Sequence, residues 1–156
     1  MHMYAPAYPG LSPTDLLRSS RSGERTFPLD APHQLRFYRA RNAIYHLFRA
    51  LLSQRGRLTV VVPDYYSGNE VLAIRAAGAT IRYASVGHEM QLDPDDVERL
   101  CQRHDADVLY VIHYLGWPQP IQALTDLCRR RGMLLVEDCA LRPMPGMSRD
   151  TLPVSS

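Results

Sequence analysis

The chain has 156 residues, a length that suits one domain with a substantial core. A hydrophobic share of 46%, a charged share of 22% and a net charge of +2 are those of a soluble globular protein, and they exclude a strongly basic nucleic-acid binder. No apolar run is long enough to span a bilayer, and the opening "MHMYAPAYPG" has neither the basic start nor the apolar stretch of a secretory leader, so a cytoplasmic protein is expected.

Residues 1–33 carry Pro6, Pro9, Pro13, Pro28 and Pro32 and read as an irregular arm, with one short helix at "SPTDLLRS" where Ser12 caps. "ARNAIYHLFRALLSQRG" then places Ile44, Leu47, Phe48, Leu51 and Leu52 on one helical stripe, closed by Gly56. "LTVVVP" is a β-branched run ended by Pro63 and reads as a strand buried on both faces. "GNEVLAIRAAG" is a helix and "TIRYASV" a strand. "LDPDDVERLCQRH" opens a helix with Asp93 as cap and Pro94 in the first turn, which also accounts for Asp95 and Asp96. "ADVLYVIH" is a buried strand, "PIQALTDLCRRRG" a helix with its three arginines at the favourable end, and "MLLVED" the last strand. Trp117-Pro118 reads as a packed loop, and residues 146–156 as an irregular tail.

A helix followed by strand–helix alternation predicts an α/β fold, a parallel doubly wound sheet with helices on both faces. The cysteines (101, 128, 139) and histidines (2, 33, 46, 88, 104, 113) show no disulfide framework and no metal-ligand spacing, and the thiols read as small buried apolar groups.

Ligands of such sheets bind at the carboxyl ends of the strands. Those ends fall at Pro63–Gly68, Val86–Glu89, His113–Trp117 and Asp138–Leu141. The nine glycines never take the G-x-G-x-x-G spacing of a dinucleotide site, and a P-loop needs a lysine. All 18 basic side chains here are arginine. A strand-end carboxylate such as Asp138 can pair with a protonated pyridine nitrogen, as pyridoxal phosphate (PLP) requires. The helix start near Asn42 can give N–H groups to a phosphate, and the "DYYSG" turn can cover a ring. Spacing by itself does not single out this cofactor.

Four segments in order, "RARNAIYHLFRAL", "VVPDYYSGNEVLAIRAAGATIRY", "LDPDDVERL" and "VIHYLGWPQPIQALTDLCRRRGMLLVEDCA", resemble the amino-terminal part of the large domain of the DegT/DnrJ/StrS family of PLP-dependent sugar aminotransferases. The resemblance runs from Phe37 to Pro145 and delimits a partial domain at 34–145. It implies that Asp138 pairs with the pyridine nitrogen, and that Asn42 and Ala43 hold the phosphate. It implies a ring-stacking residue in the turn after the first strand. Tyr66 is the aromatic candidate, and the register equally allows Ser67. His113 becomes a candidate pocket residue, and Glu137 a structural carboxylate. Where the family carries a glutamine or histidine near the cofactor's phenolic oxygen, this chain has Leu141.

Family members extend well beyond this region and supply a lysine for the Schiff base, whereas this chain has none. The expectation is therefore a truncated aminotransferase-like protein, inactive alone, that forms a homo-oligomer or docks onto a full-length relative. The alternative is a non-catalytic module that binds a partner or holds PLP weakly. Neither nucleic acid nor membrane is an expected partner. One sheet edge is expected to lack a neighbour and to favour self-association.

Overall fold

The computed structural model describes residues 33–117 and 119–140. The predicted tail, Leu141, and the predicted arm except for His33 lie outside them. The elements follow the predicted order. Helix α1 spans Ala40–Arg55, strand β1 Thr59–Pro63, helix α2 Asn69–Ala76 and strand β2 Thr80–Ala84. Helix α3 spans Pro94–His104, strand β3 Val108–Ile112, helix α4 Ile121–Arg131 and strand β4 Leu134–Asp138. A single 3-10 turn at Tyr114–Gly116 follows β3. No helix among the described residues is long and apolar enough to cross a membrane.

The four strands are all parallel, in the order β2-β1-β3-β4. Side chains alternate across a strand, so each strand feeds two layers. Val60, Val62, Val108, Tyr110 and Ile112 face one way and pack with Phe48 of α1 and Val71 and Ile74 of α2. Val61, Leu109 and Val111 face the other way, against Val97 and Cys101 of α3 and Leu124, Leu127 and Cys128 of α4. Each such fully buried apolar side chain contributes roughly 1.5–3 kcal/mol. The doubly wound reading of the sequence is thus met, with α1 and α2 on one face and α3 and α4 on the other.

Local signals explain most boundaries. Asp93 Oδ1 accepts from the N–H groups of Asp95 at 2.8 Å and Asp96 at 3.3 Å, which fixes the start of α3. Gly78 turns the chain from α2 into β2 at φ +96°, which favours glycine, and a Cβ there would lie 2.9 Å from Leu52 Cδ2 and push that methyl aside. Three details depart from expectation. Leu47 is 40% exposed, because α1 turns only Ile44, Phe48, Leu51 and Leu52 of the predicted stripe inward. Trp117 is 64% exposed and is no packed loop residue. Of the three thiols only Cys101 and Cys128 are buried, whereas Cys139 is half-exposed. Burial pushes the Cys101 thiol up to about 11 and that of Cys128 up to about 12.

Candidate active site

Strand alternation decides where the last carboxylates point. In β4, Leu134 and Val136 pack with the α1/α2 layer and Leu135 with the α3/α4 layer. Asp138 therefore belongs to the first layer and Glu137 to the second. The hydrogen bonds agree. Tyr110, on the α1/α2 face of β3, donates its hydroxyl to Asp138 Oδ2 at 2.5 Å. Asp138 Oδ1 accepts the N–H of Ala140 at 2.9 Å. Burial, together with the Asp138 charge, pushes the Tyr110 hydroxyl far above its ordinary range, so it stays a donor at every ordinary pH. Two donors thus lock the carboxylate in one orientation.

Asp138 forms one wall of a cleft of about 250 Å³. Arg39, Ala40 and Arg41, at the start of α1, line it too, as do Ser67 and Glu70. Arg39 is the residue at the helix cap, with an extended backbone (φ −137°, ψ 145°) and no side-chain cap bond. The N–H of Asn42 already reaches Arg39 O at 3.0 Å, and that of Ala43 reaches the same oxygen at 3.4 Å. Among the described residues the N–H groups of Ala40 and Arg41 have no backbone acceptor and are the orphans of this helix start. Neither Arg39 nor Arg41 has a carboxylate partner among the described residues. Helix start and guanidiniums together favour an anion.

The structure sorts the residues singled out from sequence. Asp138 lines the cleft. Asn42 does not, and faces a separate hollow with Tyr45 and Leu72. Ala43 lines neither, so the first helical turn meets the cleft through Ala40 and Arg41 instead. Tyr66 stacks on Tyr83 with ring centroids 5.8 Å apart, and its side of the turn opens to a second hollow of about 260 Å³ with Tyr65, Met90 and Tyr114. Ser67 lines both hollows and donates to Glu70 at 2.9 Å. Of the two register choices, Ser67 is the one that reaches the Asp138 cleft. His113 is fully buried on the opposite face of the sheet, with Nε2 2.9 Å from Glu137 Oε2. It does not border the cleft. Arg39, Arg41 and Glu70 were not singled out from sequence. The signal that points to the first two is the pair of arginines in "RAR" at the cap and first turn of α1, and for Glu70 it is its place at the start of α2.

A parallel sheet wound on both faces, with a fixed carboxylate at a strand end facing a helix start, defines the large-domain architecture of the PLP-dependent aminotransferases of fold type I. Residues 30–141 match the DegT/DnrJ/EryC1/StrS aminotransferase family, and the chain belongs to that family. It is similar to GDP-perosamine synthase of Vibrio cholerae, 34% identical over 82 residues, covering 52% of this chain and 22% of that protein. It is also similar to dTDP-4-dehydro-2,3,6-trideoxy-D-glucose 4-aminotransferase of Saccharopolyspora spinosa, 34% identical over 96 residues, with coverages of 53% and 24%. Among solved structures it resembles S. venezuelae DesV in complex with a ketimine intermediate, with a TM-score of 0.53 and 30% identity, covering 64% of this chain and 28% of that one. The chain therefore spans about a quarter of the length of these relatives.

Proposed function

We propose that these residues form the cofactor-facing part of a PLP-dependent aminotransferase whose acceptor is a keto-sugar nucleotide, working in the cytoplasm. The observation that carries the reading is the cleft between the Asp138 carboxylate and the orphan N–H groups of α1. The fit is one of donors and charge. Asp138 holds the ring nitrogen protonated, and the N–H groups of Ala40 and Arg41, aided by the Arg41 guanidinium, hold the phosphate. Tyr110 and the Ala140 N–H keep the Asp138 oxygens aimed into the cleft. Ser67 and Glu70 line the same cleft and would border the cofactor. When bound, PLP supplies a cationic pyridinium that withdraws electrons from the carbon bearing the amine. The Schiff-base lysine has to come from outside these 156 residues, because none of them is lysine.

Pyridoxamine 5′-phosphate tests the reading without a lysine, because this aminated form is held by non-covalent contacts alone. Its fluorescence should saturate on titration with the protein. Asp138→Asn should weaken binding by ~10–100-fold, the equivalent of a charge-assisted hydrogen bond. Absence of saturable binding, or equal binding by the variant, would refute it.

A second reading has its own observation. All five residues of β4 are only half-buried, whereas all five of the neighbouring β3 are buried. Among the described residues β4 is an edge of the sheet, and an unpaired edge is a template for another strand. On this reading the chain is a non-catalytic module that pairs through β4 with a second copy or a full-length relative. Concentration-dependent mass in sedimentation would support it, and a monomer at all concentrations would count against it.

A further inference from the structure

The face of the sheet opposite the cleft carries a second cluster, and it owes nothing to the cofactor. His113 follows β3 directly. Glu137 is in β4 and Cys139 follows it. The parallel register sets Ile112 beside Asp138, which brings His113 alongside Cys139, with Glu137 two residues earlier on the same face. An imidazole nitrogen, a carboxylate oxygen and the Cys139 sulfur lie within 4.8 Å of one another. Two strand ends 24 residues apart in sequence thus deliver three different donor atoms to one point.

The imidazole offers the ion one nitrogen. His113 is fully buried, and its Nδ1 has no hydrogen-bond partner. Leaving Nδ1 unsatisfied costs about 1–3 kcal/mol, which an ion on the far side of the ring does not relieve and which its metal bonds must outweigh. Its other nitrogen faces Glu137. The surroundings are apolar, since Val111 and Leu135 precede these residues on the same face. A mixed nitrogen, oxygen and sulfur donor set selects against magnesium and calcium, which prefer all-oxygen ligands.

We propose that His113, Glu137 and Cys139 form a binding site for a borderline-soft divalent cation, zinc being the match for this donor set, with water or one further ligand completing a tetrahedron. The donors must open slightly to accept it, from a hydrogen-bonded 2.9 Å between imidazole and carboxylate to the separation that metal bonds of about 2.0–2.3 Å impose. Cys139 binds as thiolate and releases one proton on binding, His113 binds as neutral imidazole, and no electron is transferred. The ion would tie the ends of β3 and β4 together one residue away from Asp138, on the reverse side of the strand.

The test uses the full chain and two metals. Cobalt(II) titration should give one equivalent of a tetrahedral visible spectrum with a thiolate charge-transfer band, and zinc should displace it. Cys139→Ser, at a half-exposed position, should lose the charge-transfer band. It should also weaken zinc binding in a chelator competition by more than the ~10–100-fold expected from loss of an outer-shell partner. Glu137→Gln should weaken binding while keeping the band. Zinc should further protect Cys139 from thiol reagents. A cobalt spectrum without the thiolate band, or an unchanged one in Cys139→Ser, overturns the proposal. So does failure of zinc to compete. None of these results bears on pyridoxamine phosphate binding in the cleft.

Discussion

Tyr110→Phe isolates the device that aims Asp138. The substitution keeps the ring, which is 98% buried and packs against Phe48 with centroids 6.0 Å apart, and removes only the oxygen. The lost bond is charge-assisted and short, a class that contributes about 1.5–3 kcal/mol. Two features lower the net cost. Asp138 keeps the Ala140 N–H, and it borders the cleft, so water replaces the missing donor. The 3–5 kcal/mol of an uncompensated buried charge therefore does not apply, and we expect a loss of about 1–2 kcal/mol in urea unfolding. The same change frees the carboxylate to rotate. Pyridoxamine phosphate affinity should fall several-fold while the midpoint of unfolding drops. Should stability change by less than ~0.5 kcal/mol, the size of an ordinary surface substitution, and affinity stay constant, the hydroxyl does not position Asp138 and the reasoning fails.

Further expectations concern the helix start, the turns and the thiols. Ala40→Pro removes one orphan N–H at the first helical position, where proline fits, and Arg39 is already extended as the residue before proline must be. Phosphate-ligand affinity should drop with little change in melting temperature, and unchanged affinity would remove Ala40 from the anion site. Gly78→Ala meets both a positive φ and the Leu52 methyl, so thermal unfolding should register a loss of about 1–3 kcal/mol. Asp93→Ala should cost ~1 kcal/mol through the lost cap of α3, measured the same way. The Cys101 and Cys128 thiols bind protons more tightly folded than unfolded. Stability is therefore whole below the unfolded value of ~8.5 and falls as pH rises from there toward about 11 and 12. Tyr110 acts in the same direction. A denaturation series in the alkaline range should show the decline, and Cys128→Ala should flatten it.

The fold was open to reading because each element carries its own signal. Four β-branched residues before Pro63, an aspartate cap before Pro94, and glycines after α1, α2 and α4 need no tertiary information. Asp138 was reachable too, since a carboxylate ending an apolar parallel strand must surface at the ligand edge. The helix itself is legible from Ala40 onward, but the residues that line the cleft are Ala40 and Arg41 and not the implied Asn42 and Ala43. The cap is Arg39, which has no capping side-chain bond and so carries no cap signal. Propensity names the best cap and not where packing begins the helix. The choice between Tyr66 and Ser67 needed the geometry of the turn, where Tyr66 is drawn aside by Tyr83. The grouping of His113 with Glu137 and Cys139 was hidden for another reason. Ligand spacing in sequence detects donors on one local element, whereas these three meet through the pairing of two strands.

Glu137, Asp138 and Cys139 stand in one file, yet alternate residues belong to opposite sides of the sheet. A deletion of one residue in the turn between α4 and β4, taken up by a shift of the strand, would exchange them. Glu137 and Cys139 would enter the cleft, and Asp138 would turn toward α3 and α4. Gly132, in the left-handed region at φ 64°, and the Met133 N–H held by Cys128 O at 2.9 Å are what set the strand's starting point. The chemistry of both faces is thus indexed by a turn that touches neither, and length changes there should be far more damaging than substitutions.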